Sequence, residues 1–243
     1  MRYFIKFSYD GTLFHGYQKQ VGLRTVEECL ERALFNINNH TETKVVASGR
    51  TDRGVHAIGQ TASFNLCINI TLDKLKMALN SLLPEDIHVL STEIVDKDFH
   101  ARYMAKEKTY EYVINMGEYD PLKRNYVYQL GKKLDVDKMK NAIKSFIGEH
   151  DFKSFVSNEC VKDNYIRTIY NAEIKEEKDI LTISFTGNGF MKYQVRNMVG
   201  TLIKIGLKKL DQDIIKDIFN DCSLEKYVFT APSEGLYLVN VKY

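Results

Sequence analysis

Residues 2–9 place Tyr3, Ile5, Phe7 and Tyr9 at every second position, with Arg2, Lys6 and Ser8 largely opposite, and run into the turn former Asp10-Gly11. That period of two predicts a half-buried strand. Thr25 followed by Glu28 has the form of a capping box, and Val26, Leu30, Ala33, Leu34 and Ile37 then recur at helical spacing up to Asn38-Asn39. A helix packed by one face is expected there. Lys44 to Ala47 suits a short strand and 60–66 is again extended, so the segment between them connects strands. A second helix is predicted from Leu72 to Leu83, with Leu72, Leu75, Leu79 and Leu82 as its stripe and Pro84 as its stop. Strands follow near 86–95 and 105–115.

The rest of the chain repeats this mixture. A helix is expected over Val136–Ile147, ending at Gly148, strands near 166–175 and 179–187, helices near 190–208 and 212–220, and a last strand after Gly235. Strands outnumber helices, several links between strands are short, and no regular βαβ alternation runs through the chain. The fold class is therefore α+β with mainly antiparallel sheet, not a doubly wound sheet. Each half carries strands and packing helices, and no residue-level repeat relates them. No linker rich in Pro, Ser or Gly marks a border, and the division is set at 1–105 and 106–243.

Composition changes this picture little. A length of 243 residues with 44% hydrophobic content is enough for a sizeable core. The formal charge of +2 neither demands nor excludes a nucleic acid, so any anion site is local. Cys29, Cys67, Cys160 and Cys222 lie far apart without a CxxC pair, which fits free thiols in a reducing compartment, with the cytoplasm the simplest location. The N-terminus lacks the apolar run of a signal peptide, and no segment reaches the roughly 20 apolar residues of a membrane span.

Chemistry concentrates in Ala47–Ala57, ASGRTDRGVHA. Asp52 stands between Arg50 and Arg53, with Gly49 and Gly54 outside them and His56 four residues on. Glycines let a backbone turn tightly and come close to a ligand, while arginines hold an acid ionised or grip phosphate. A surface turn of solvated ion pairs is the plain alternative. A metal site of Asp52 and His56 with His15 or His100, or acid–base hydrolysis by Asp52 and His56, are others, although no HExxH or paired-histidine motif is present. Tyr110 and Tyr112 share a strand face beside Lys106 and Lys108, which suits core tyrosines and also stacking on an unpaired base. Arg196 borders the apolar stripe Met191, Val195, Met198, Val199 and Leu202, and if partly buried it needs an acid partner, for which Asp52 is a candidate.

Taken together, YDGTLFHGYQ, GRTDRGVHA, FHARYMAKEKTYEY, GEHDFKSF, GNGFMKYQVRNMVGTL and APSEGLYL resemble, in order and over nearly the whole chain, the tRNA pseudouridine synthase A family. Small departures are Tyr17, where tryptophan is frequent, and Lys192, where the family often has an aromatic. The resemblance implies that Asp52 is the catalytic aspartate, that Arg196 orients it and keeps it charged, that Arg50 fills the stack left by an expelled base, and that Tyr110 lies on the flipped uracil. It implies two similar halves with an RNA-binding cleft between them, a homodimer, and tRNA as substrate at positions 38, 39 and 40 of the anticodon arm. Neither cofactor nor metal is required, because the isomerisation exchanges an N1–C1′ bond for C5–C1′ without redox change. Lys19, Arg24, Arg102, Lys123, Arg124 and Arg167 are expected near that cleft. A noncatalytic tRNA-binding protein of the same fold is the alternative function, and a metal-dependent hydrolase the weaker one.

Overall fold

A computed structural model describes residues 1–157 and 163–243; Cys160 lies outside the described residues. The chain forms two compact units, Met1–Lys106 with Leu238–Tyr243, and Glu107–Tyr237. Its mixture of helices and mainly antiparallel strands is the α+β class that the patterns predict.

In the first unit, β1 (Arg2–Tyr9) pairs antiparallel with β3 (His56–Asn65) on one side and β4 (Ile87–Ile94) on the other. The two-residue β2 (Val46–Ala47) adds to β3, and β10 (Leu236–Lys242) lies beside β3 from Leu238 onward. The alternation in β1 has the expected cause, since Tyr3, Ile5, Phe7 and Tyr9 are all buried. Phe4 on the opposite face is buried too, because Phe99 and Tyr243 meet its ring edge-on at 5.3 and 5.2 Å.

Helix α1 (Val26–Ile37) buries Val26, Leu30, Ala33 and Leu34 as its spacing predicts, but no capping box forms. Thr25 makes no side-chain cap, and its buried hydroxyl has no partner. The first amides of the helix are taken by backbone instead: Val26 N–H donates to the Gly16 carbonyl at 3.4 Å and Glu27 N–H to that of Tyr17 at 2.9 Å. Helix α2 (Leu72–Leu82) buries Leu75 and Leu79, whereas Leu82 is 46% exposed and Leu83 replaces it inside. The helix ends one residue early, and the extended Leu83 (ψ 150°) no longer follows the helical period.

In the second unit, β5 (Glu107–Asn115) is joined by β6 (Tyr128–Gln129), a parallel pair too short to show in the sequence pattern. Helix α3 (Val136–Ala142) starts at Asp135, whose carboxylate accepts the Lys138 N–H, and tightens into a 3₁₀ turn over Ile143–Phe146. The four-residue β7 (Gly148–Asp151) follows, then β8 (Ile166–Glu177) and β9 (Ile180–Gly187); the antiparallel order is β5-β9-β8-β7. Helix α4 (Gln194–Gly206) is almost wholly buried and starts later than predicted. Tyr193 before it is left-handed (φ 65°), residues 192–193 form a turn, and Met191 is not on the helix. Helix α5 (Ile214–Asn220) completes the unit. No helix among the described residues is long and apolar enough to cross a membrane.

Candidate active site

Asp52 is half-buried on the loop from β2 to β3, and Arg50 and Arg53 beside it are exposed. The loop is held from beneath at several points. Ser48 Oγ donates to Gln60 Oε1 at 2.6 Å while Gln60 Nε2 returns a bond to the Gly49 carbonyl at 3.1 Å, so the fully buried Gln60 of β3 fastens the loop entrance. At the centre, the Thr51 hydroxyl lies 2.8 Å from the Tyr9 hydroxyl of β1, and the Thr51 carbonyl accepts Tyr17 N–H at 3.1 Å. The exit closes through Val55 N–H, which donates to the Asp52 carbonyl at 3.2 Å.

A second loop, Gly11–Gln18, interlocks with it, and two glycines permit the approach. A methyl group on Gly11 would overlap the Val55 carbonyl, and one on Gly16, whose φ is +89°, would stand 2.9 Å from the Thr51 oxygen. Gly11 N–H donates to His56 Nδ1 at 3.1 Å, and that nitrogen is 3.2 Å from an Asp10 carboxylate oxygen. Because Gly16 and Tyr17 also cap α1, the helix, the second loop and Thr51 form one connected support. Replacing Gly11 with alanine should cost about 1–3 kcal/mol by overpacking. Thermal melting checks it, with about 2–4 °C lost per kcal/mol in a chain of this length.

Burial pushes the Tyr9 phenol up to about 12, with hydrogen bonds to Thr51 and Gln60 opposing part of the rise. Tyr9 is thus a neutral hydroxyl at any working pH. Tyr17 is likewise raised well above the usual tyrosine range, first by burial and then by Glu27, and its hydroxyl has no partner.

Histidines have other duties. His56 faces Gly11 and Asp10 as described, and His100 Nδ1 accepts the Arg102 and Tyr103 amides at 3.2 and 3.3 Å, closing its own turn. Among the described residues no group of three or more His, Cys, Asp or Glu side chains could hold a metal ion.

Tyr110 and Arg196 belong to the second unit, and both pack on the short segment 190–193 before α4. Tyr110, on β5, is 7% exposed, and its ring meets Phe190 edge-on at 5.2 Å. Arg196, in the first turn of α4, is half-buried. Its Nε donates to the Ala231 carbonyl at 2.8 Å, and its guanidinium carbon sits 4.8 Å from the Tyr193 ring centre. The left-handed Tyr193 is what turns the chain so that ring and guanidinium meet. Sequence reasoning missed Tyr9, Thr51, Gln60 and Tyr193. Only the last left a signal, an aromatic three residues before an arginine on a helix.

Several of the basic residues expected at an RNA surface are engaged within the protein. Arg24 grips Asp86 with both terminal nitrogens, at 2.7 and 2.8 Å, under the Phe14 ring. Lys19 pairs with Glu31 and Lys123 with Asp120. Arg102 and Arg124 are exposed, and Arg167 is half-buried.

The family model described as "tRNA pseudouridine synthase" matches residues 6–104 and 142–243. The chain is also similar to proteins named tRNA pseudouridine synthase A in three bacteria. With that of Limosilactobacillus reuteri it shares 43% identity, covering 100% of this chain and 96% of the relative. With that of Streptococcus uberis it shares 42%, covering 100% and 98%, and with that of Thermoanaerobacter sp. 40%, covering 97% and 96%.

Proposed function

The chain belongs to the tRNA pseudouridine synthase family and is an isomerase of tRNA uridine; from that premise we propose that it acts at positions 38, 39 and 40 of the anticodon arm, with Asp52 as its catalytic carboxylate. The observation that carries the assignment of Asp52 is the support under its loop, in which Thr51 on one side and Val55 on the other are both fixed by backbone bonds. An acid meant to meet one sugar atom of a flipped nucleotide needs such a frame.

The reaction breaks N1–C1′, turns the detached uracil and joins C5 to C1′, so the proton leaving C5 is balanced by one gained at N1. Asp52 can serve by attacking C1′, by adding to C6, or by removing the 2′ proton to give a glycal, and each route uses an ionised carboxylate. Arg196 supplies the counter-charge that keeps Asp52 ionised. The exposed Arg50 takes the place of the expelled base, offsetting an unstacking cost of a few kcal/mol. Tyr110 contacts the flipped uracil. The protein works as a homodimer in the cytoplasm and requires no cofactor.

Incubating an unmodified tRNA transcript with the protein, with and without EDTA, followed by mapping of pseudouridine, tests the assignment. Product at the anticodon arm is expected. Binding without product would favour the noncatalytic alternative, and cleavage that chelation abolishes would favour a hydrolase. Filter binding supplies a second prediction: affinity should fall steeply with salt as Arg50, Arg53 and Arg102 release counterions from phosphates, despite a net charge of only +2. A dissociation constant unmoved between low and physiological salt would contradict phosphate contact.

A further inference from the structure

On the premise that Asp52 is the catalytic carboxylate, we propose that Tyr9 and Thr51 are positioning residues for it, their shared hydroxyl bond setting where the Asp52 side chain stands. Thr51 is the residue directly before Asp52 and is 8% exposed. Rotation of its backbone would swing the carboxylate, and three anchors oppose that rotation. The hydroxyl is bonded to Tyr9 at 2.8 Å, the carbonyl accepts Tyr17 N–H at 3.1 Å, and the peptide lies so close to Gly16 that a methyl group there would stand 2.9 Å from the Thr51 oxygen.

Tyr9 is well suited to be the fixed end. It sits near the end of β1, where it pairs with Ala57 of β3 and Ile87 of β4, and is thus held on both edges. Its ring is buried and packs against Phe7 at 6.0 Å. A phenol that stays neutral neither takes a proton from substrate nor repels the neighbouring carboxylate, so its contribution is geometric. Gln60, one strand away, pins Gly49 at the loop entrance and also hydrogen-bonds the Tyr9 hydroxyl, so Tyr9 ties that anchor to the bond at Thr51, directly before the acid.

The test compares Tyr9→Phe, Thr51→Val, their combination and Thr51→Ser in the full chain, using single-turnover conversion of a tRNA transcript, filter binding and melting temperature. Tyr9→Phe and Thr51→Val should each slow conversion roughly ten- to a hundredfold, the range a small misplacement of a reacting group produces. The tRNA dissociation constant should change less than about twofold, because no group that meets RNA is removed. The double variant should be no slower than the slower single one, since Tyr9→Phe, which also loses the bond to Gln60, already removes the bond that Thr51→Val removes, and Thr51→Ser should restore the rate by keeping the hydroxyl.

Singles at the parental rate, or effects that multiply in the double variant, would overturn the positioning role. So would a Thr51→Ser protein as slow as Thr51→Val. Should Tyr9→Phe fold poorly, the Thr51→Val and Thr51→Ser pair decides alone. Asp52→Asn separates this failure from that of its premise. An inactive Asp52→Asn beside fully active Tyr9→Phe and Thr51→Val removes only the positioning role, whereas an active Asp52→Asn removes the premise and the positioning role together.

Discussion

Asp52→Asn protein should leave tRNA uridine unconverted while binding the RNA within about threefold of the parent, the signature of an interaction used in the transition state only. The amide keeps the shape of the carboxylate and can still accept one hydrogen bond, so the loop is not expected to rearrange. What disappears is the ionisable oxygen that each chemical route requires, whether it attacks C1′, adds to C6 or takes the 2′ proton. The backbone around it is held through Thr51, Tyr17 and Val55 by main-chain bonds and by the Thr51 hydroxyl, all of which the substitution leaves in place. Melting temperature should therefore stay close to the parent. Mapping of pseudouridine in a purified single-turnover reaction is the direct measurement. Product formed at even a tenth of the parental rate would mean that the essential acid lies elsewhere. Loss of RNA binding together with activity would instead assign Asp52 to recognition.

Much of this was legible in the sequence where one rule governed a whole element. The strand β1 shows its period because one face is buried along its entire length; α1 shows its own through the buried Val26, Leu30, Ala33 and Leu34, and α2 through Leu75 and Leu79. Rules failed at ends, where a local preference meets a tertiary partner. Thr25 has the residue type for a cap, but the Tyr17 carbonyl already accepts the Glu27 N–H, one of the two amides that its hydroxyl could have bonded. The start of α4 moved because Tyr193 adopts a left-handed conformation that nothing in its own chemistry announces. In the site, the Asp52 loop announces itself through its density of Gly, Arg and Asp. Its supports do not, because Tyr9 lies 42 residues from Thr51 and is, as a sequence letter, one more aromatic on an apolar strand face.

Arg196→Met should be the next most damaging substitution, lowering turnover about a hundredfold at neutral pH, an effect in the range expected for a displaced reacting group. The change keeps an unbranched apolar stem of similar length and removes the charge. On the proposal that Arg196 is the counter-charge of Asp52, its loss should raise the pKa of that carboxyl, since a nearby opposite charge lowers a carboxyl pKa by about 1–3 units. The sign follows: at a given pH less of the acid is ionised, the acid limb of the pH–rate profile moves upward, and part of the lost rate returns as pH is raised. Arg196 also has a local duty, since its Nε donates to the Ala231 carbonyl and its guanidinium lies over Tyr193. Methionine abandons both contacts, and lost turnover alone would not separate the two roles. Arg196→Lys does separate them, because it keeps a charge while losing the Nε–H that bonds the Ala231 carbonyl. If the counter-charge matters most, the lysine protein should keep the parental acid limb and a rate between parent and methionine variant. If the contact with Ala231 matters most, lysine and methionine variants should be equally slow, equally destabilised on melting, and unshifted in pH. An Arg196→Met protein with the parental rate and pH profile would remove this arginine from the chemistry altogether.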